Sequence, residues 1–133
     1  MSFSPTITTC IKSAAAKALA TTGPHGINVV PVSVISVTSD SIWLYDFFMD
    51  KTVANLTTDP AVALTCWSDL VGVQIKAIAS YLTSGSEFAE ATDWIKTEYP
   101  DRTLNGLIIL SPTAVYDISP GGAFTPDDLS LDH

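Results

Sequence analysis

Twelve residues concentrate what chemistry this sequence could do: Tyr45-Asp46-Phe47-Phe48-Met49-Asp50-Lys51-Thr52-Val53-Ala54-Asn55-Leu56. A strand-like run passes through a turn into a helical stretch whose first turn holds Lys51 and Thr52. N–H groups at a helix start attract a phosphate, and a cation with a hydroxyl would complete the cradle. Asp50 offers a competing account, as an N-cap that satisfies the same helix start and leaves Lys51 simply solvated. By spacing alone the capping account is the better one.

Other constellations are scarce. His25 lies in the turn-like Gly23-Pro24-His25-Gly26 and His133 ends the chain, so neither builds a triad or a metal site. Asp127 and Asp128 pair carboxylates in an acidic terminal stretch, where solvation explains them. Any chemistry here would have to come from a cofactor.

Composition narrows the partners. The 133 residues carry 14 acids against 6 bases, a net charge of −8, which argues against nucleic acid and against an anionic membrane. The acidity is uneven. Residues 1–85 hold 5 acids and 4 bases, whereas residues 86–133 hold 9 acids and 2 bases, with Arg102 the only arginine. No apolar run approaches the ~18 residues of a membrane helix, and the first residues lack a charged-then-apolar leader. Cys10 and Cys66 are too few for a disulfide scaffold. A cytoplasmic protein with reduced thiols is the expectation.

Thr, Val and Ile total 37 residues, which favours strands. Ile11, Ala15 and Leu19 predict a helix over 8–20, although Lys17 to Thr22 could equally enter a first strand. Ile27 to Thr38 reads as one strand apolar on both faces, with Pro31 forcing the sheet open or bulged. Ser41–Phe48, Ala61–Trp67, Gly72–Thr83, Leu104–Leu110 and Ala114–Ser119 read as further strands. Helices are expected over Asp50–Thr58 and, from a Ser84/Glu87 capping box, to about Tyr99. Cys66 reads as a small core residue. This order suggests a mainly β fold with flanking helices, a six-stranded antiparallel barrel. Residues 123–133 contain three aspartates and one aromatic, and are expected to form a mobile tail whose deletion costs little.

Three blocks in order carry a resemblance: Asn28-Val29-Val30-Pro31-Val32-Ser33, then Asp46 to Thr52 with Asn55-Leu56, then Val73-Gln74-Ile75-Lys76-Ala77. Over residues 8–120 the chain resembles the FMN-binding split barrels related to pyridoxamine 5′-phosphate oxidase. That resemblance reverses the reading of Lys51. It implies a split-barrel domain over 1–122, and a homodimer with FMN at the subunit interface. By the same analogy, Asn28, Val29, Val30, Pro31, Val32 and Ser33 lie along the flavin and ribityl chain. The backbone of Tyr45, Asp46, Phe47 and Phe48 meets the polar edge of the ring, Lys51 and Thr52 hold the phosphate, and Gln74 touches the flavin. Read from its strand alone, Gln74 is an ordinary outward polar residue. Phe47, Phe48, Val30 and Val32 offer an apolar slot; Trp67 and Trp94 are candidates to flank the ring or plain core residues.

There are departures from the family pattern. Asp50 stands where the oxidases have a second cation, and the acidic C-terminus replaces their basic, aromatic segment. A vitamin phosphate is therefore a poor substrate candidate. The expected function is an FMN-dependent oxidoreductase exchanging a hydride between flavin N5 and a nicotinamide or small-molecule partner. The alternatives are a non-enzymatic FMN-binding or electron-transfer protein, or a barrel binding haem, another ligand or nothing.

Overall fold

The computed structural model describes all residues, 1–133. Its core is one antiparallel sheet of seven strands: β1 (Ala16–Thr21), β2 (Asn28–Pro31), β3 (Ile35–Val37), β4 (Ile42–Asp46), β5 (Ala61–Ser68), β6 (Val71–Leu82) and β7 (Gly106–Asp117). Their order across the sheet is β2-β1-β5-β6-β7-β4-β3. The two outermost strands, β2 and β3, are joined only by Val32-Ser33-Val34, a connection that can span at most about 14 Å. The sheet must therefore curl until its edges nearly meet. It is a split barrel, with the split at residues 32–34.

The inner face alternates as period-2 patterning requires. Leu19, Ile42, Leu44, Leu64, Ile75, Ile108 and Leu110 are fully buried there, and Cys66 joins them. Burial pushes the Cys66 thiol up to about 12, consistent with its core role. Helix α1 (Pro5–Ser13) closes one end of the barrel with Ile7 and Ile11. Ser4 caps it by accepting from the Ile7 N–H at 3.2 Å, and Pro5 occupies the first turn. Helix α2 spans Asp50–Thr58, as expected. Helix α3 (Ser86–Glu98) covers the outer face of β4 and β7, packing Ala91 and Ile95 on Tyr45 and Leu107.

Several expectations need correction. Seven strands replace six, because Ile27–Thr38 breaks in two, Leu104–Ser119 fuses into one, and Ala16–Thr21 becomes a strand. The alanines of β1 give way to pairing with both β2 and β5, which outweighs their helix propensity. Ser111-Pro112-Thr113 looks like a turn but is a bulge, where the pairing of β6 with β7 skips Thr113. Pro112 is tolerated there because β4 pairs with β7 no further than Leu110, so no donor is missed on that side. Helix α3 starts at Ser86 behind Gly85, without a side-chain cap.

Residues 123–133 are not a trailing tail either. They form helix α4 (Pro126–Leu129), capped by Thr125 and Asp128. Ser4 Oγ donates to the Asp128 carbonyl at 2.8 Å, and the Ser2 N–H donates to the Leu131 carbonyl at 2.6 Å. Phe124, Leu129 and Leu131 pack against the main core. No helix of the chain is long and apolar enough to cross a membrane.

Candidate functional site

The β4–α2 corner is held by a buried carboxylate. Asp46 is 4% exposed. Its Oδ1 accepts from the Met49 N–H at 2.7 Å, and its Oδ2 accepts from the Tyr81 hydroxyl at 2.6 Å. Burial, then this bond, pushes the Tyr81 phenol up, so it stays protonated and donating. Asn105 adds two more ties: its N–H reaches the Asp46 carbonyl at 2.9 Å and its Nδ2 the Phe47 carbonyl at 2.7 Å. Gly106 is required beside it, since the Tyr81 ring occupies the space a Cβ would take. The turn Phe47-Phe48-Met49 is thus fixed from both sides, leaving Phe48 94% exposed.

This corner delivers the start of α2. Met49, not Asp50, is the N-cap, and no side chain caps the helix. Asp50 is instead its first residue, so the first-turn N–H groups have no side-chain acceptor. Thr52 is 1% exposed and its Oγ1 accepts from Asn28 Nδ2 of β2 at 3.1 Å. Lys51 is exposed on the same turn. Asn28 and Thr52 are therefore joined, with Lys51 exposed beside them on the first turn of α2.

The remaining residues sort by face. On β2, Val29 (61% exposed) and Pro31 point outward, while Val30 packs on the core. Val32 is buried, and Ser33 is exposed at the split. Two clefts flank this point. One, of about 560 Å³, is lined by Ser33, Phe47, Phe48, Arg102 and Asn105. The other, of about 800 Å³, runs along Val29–Ser33, Ala14–Ala18 and Trp67. Volumes of this order suit a cofactor. Tyr45 contributes backbone to the corner, but its side chain is buried under α3, bonded to Ser36 Oγ at 2.7 Å. Trp94 lies there too, 5.0 Å from the Tyr45 ring and away from the clefts, whereas Trp67 lines one of them. Gln74 is not brought to Lys51. It sits on the outer face of β6, in a row with Thr65, Ala18 and Pro31, three strands or roughly 14 Å from β2.

Sequence reasoning missed four residues that build the corner. Asn55 is fully buried and accepts from the His25 N–H at 3.0 Å while donating to the Gly26 carbonyl at 3.0 Å, locking the β1–β2 turn beside the split. Its signal was present in the Asn55-Leu56 block, and Gly23 confirms the close approach, since a Cβ there would lie 2.8 Å from Asn55 Cα. Tyr81 and Asn105 gave none, because their partners are 35 and 58 residues away. Arg102, whose guanidinium lies 5.1 Å from both the Phe47 and Tyr99 ring centres, was noted only as the sole arginine.

Comparison with known proteins places this architecture. Over 91 residues the chain is 29% identical to the uncharacterized protein MJ0282 of Methanocaldococcus jannaschii, a match covering 68% of this chain. The chain spans only 61% of that relative's length. An FMN-binding protein from Syntrophomonas wolfei superposes with a TM-score of 0.72 at 20% identity, covering 85% of this chain and 84% of the other. The heme storage protein HutZ of Vibrio cholerae does so with 0.66 at 15% identity, covering 88% and 95%. At these identities the structures establish the shared fold. The family model for pyridoxamine 5′-phosphate oxidase matches residues 3–124, spanning the barrel, the α2 corner and the split, and the chain belongs to that family.

Proposed function

We propose that the chain binds FMN at the split and works as a homodimeric flavin-dependent oxidoreductase, exchanging a hydride with a nicotinamide or small-molecule partner. One observation carries the reading: the uncapped start of α2 presents its N–H groups beside Lys51 and a buried Thr52 already tied to β2. Free N–H groups and a neighbouring cation at a helix start support a phosphate cradle there. Asp50 opposes it in part, which favours modest affinity.

When bound, FMN supplies reversible hydride chemistry at N5. The chain's own residues do the rest. Lys51, Thr52 and the helix start hold the phosphate; Asn28 sets the Thr52 hydroxyl. Asp46, Tyr81 and Asn105 fix the Phe47–Met49 backbone along the ring edge. Phe47, Phe48 and the outward Val29 exclude water. Gln74, on the outer face three strands from β2, would join this set from a second copy packed on that face. The outer face over β1, β5 and β6 suits such contact, with small Ala16, Ala18, Ala20 and Ala63 beside exposed Val29 and Tyr116.

A second reading, a flavin carrier without turnover, is favoured by one feature. Asp46 is consumed in holding the turn and Tyr81 is bonded to it, so neither is available to move a proton. Turnover with NADH or NADPH separates the two, and the visible spectrum separates flavin from haem.

The phosphate cradle is tested by titrating FMN and riboflavin. A hydrogen bond to a charged group contributes about 1.5–3 kcal/mol, so Lys51→Ala should weaken FMN roughly 10- to 150-fold. Riboflavin, lacking the phosphate, should change little, and Lys96→Ala on α3 should affect neither. Equal losses for both flavins would overturn the cradle.

A further inference from the structure

A separate cavity of about 290 Å³ lies where α3 crosses β3 and β4, lined by Ser36, Thr38, Trp43, Tyr45, Glu90 and Trp94. It belongs to the other end of the sheet order from β2, and none of its side chains takes part in the phosphate cradle. Its rings are set in advance. The Tyr45 hydroxyl is bonded to Ser36 Oγ at 2.7 Å, and Trp94 is held between Tyr45, 5.0 Å away, and Tyr99, 5.9 Å away. Such order lowers the entropic cost of binding.

The lining selects by charge. Three aromatic side chains and one carboxylate contribute, and no cation does. A cation is attracted both to the faces of Trp and Tyr rings and to Glu90; an anion is disfavoured by each. The wider field agrees, since residues 86–133 carry 9 acids against 2 bases and Arg102 is engaged with Phe47 and Tyr99 instead. The hydroxyls of the lining are already taken: Ser36 by Tyr45, and Thr38 Oγ1 by Asp40 and Ser41. Glu90 is the one acceptor side chain left free, so a head group with several N–H donors cannot satisfy them all here. One that carries charge but no N–H gains most. We propose that this cavity is a binding site for a small methylated ammonium, with Trp43 and Trp94 as its aromatic walls, Tyr45 packed behind Trp94, and Glu90 as its counter-charge.

Calorimetric titration of the purified protein with choline tests this, beside its neutral isostere in which carbon replaces the quaternary nitrogen. Choline should bind saturably and the isostere about tenfold more weakly or not at all. Glu90→Gln should weaken choline several-fold without changing the isostere. Glu87→Gln, which removes the same charge from the same helix outside the cavity, should leave choline unchanged. Equal binding of choline and isostere, absence of saturable choline binding, or equal losses from the two glutamate substitutions would each overturn the proposal. Both substituted side chains are exposed, so the fold is not at risk.

Discussion

Asp46 shows why a site residue can be legible in sequence while its role is not. Its place beside Lys51 and Thr52 was visible in a run of adjacent letters; that its side chain turns inward to hold the corner was not. The partners come from β6 and from the loop before β7, distant in sequence and close only once the sheet has formed. The Tyr81–Asp46 bond has a measurable consequence. Tyr81→Phe keeps the ring under Gly106 but strips a nearly buried carboxylate oxygen of its donor, which costs about 1–3 kcal/mol. Denaturant unfolding should register that loss, and FMN affinity should fall with it as the Phe47–Met49 turn loosens. Unchanged stability would mean that water replaces the phenol and that the corner does not depend on it. Asn28 and Thr52 each stood in a block the sequence singled out, but their bond was not legible, because it joins a strand start to a helix start 24 residues further on.

Elements were legible where a local signal agreed with the tertiary context. Helix α2 and the hairpin of β5 and β6 follow their periodicity within a residue or two. Helix α1 did not, because the alanines that follow it lead into a segment that pairing turns into β1, while the Ser4-Pro5 start went unread. The C-terminal residues were misjudged because a count of aspartates ignores where they sit. Asp117 accepts from the N–H groups of Ala123, Ser119 and Phe124, and these bonds pull its carboxyl down to about 2. A depressed carboxyl contributes stability above its ordinary pKa and loses it as pH falls through the folded value. The docked segment should therefore hold at neutral pH and loosen between about pH 4 and pH 2, as read by amide exchange at Ala123 and Phe124. Deleting residues 123–133 uncovers apolar surface packed by Phe124, Leu129 and Leu131, and should lower Tm by about 5–10 °C. No change in Tm would restore the picture of a free tail.

At the scale of the molecule, the split barrel was recognisable from the order of three sequence blocks, and its closure follows from the three residues that join its edge strands. What one chain does not contain is a complete set of the expected flavin residues: Asn28, Lys51 and Thr52 gather at the split, and Gln74 stands on the outer face. A second copy packed on that face is the simplest completion, and it would also cover the alanines of β1 and the exposed valine and tyrosine beside them. Sedimentation velocity of the purified protein, loaded with FMN and followed at the flavin absorbance band, tests this most directly. The flavin should travel with a species of twice the 14.1 kDa chain mass, at one FMN per chain. Flavin travelling with a monomer, or a dimer that carries none at saturating FMN, would contradict it.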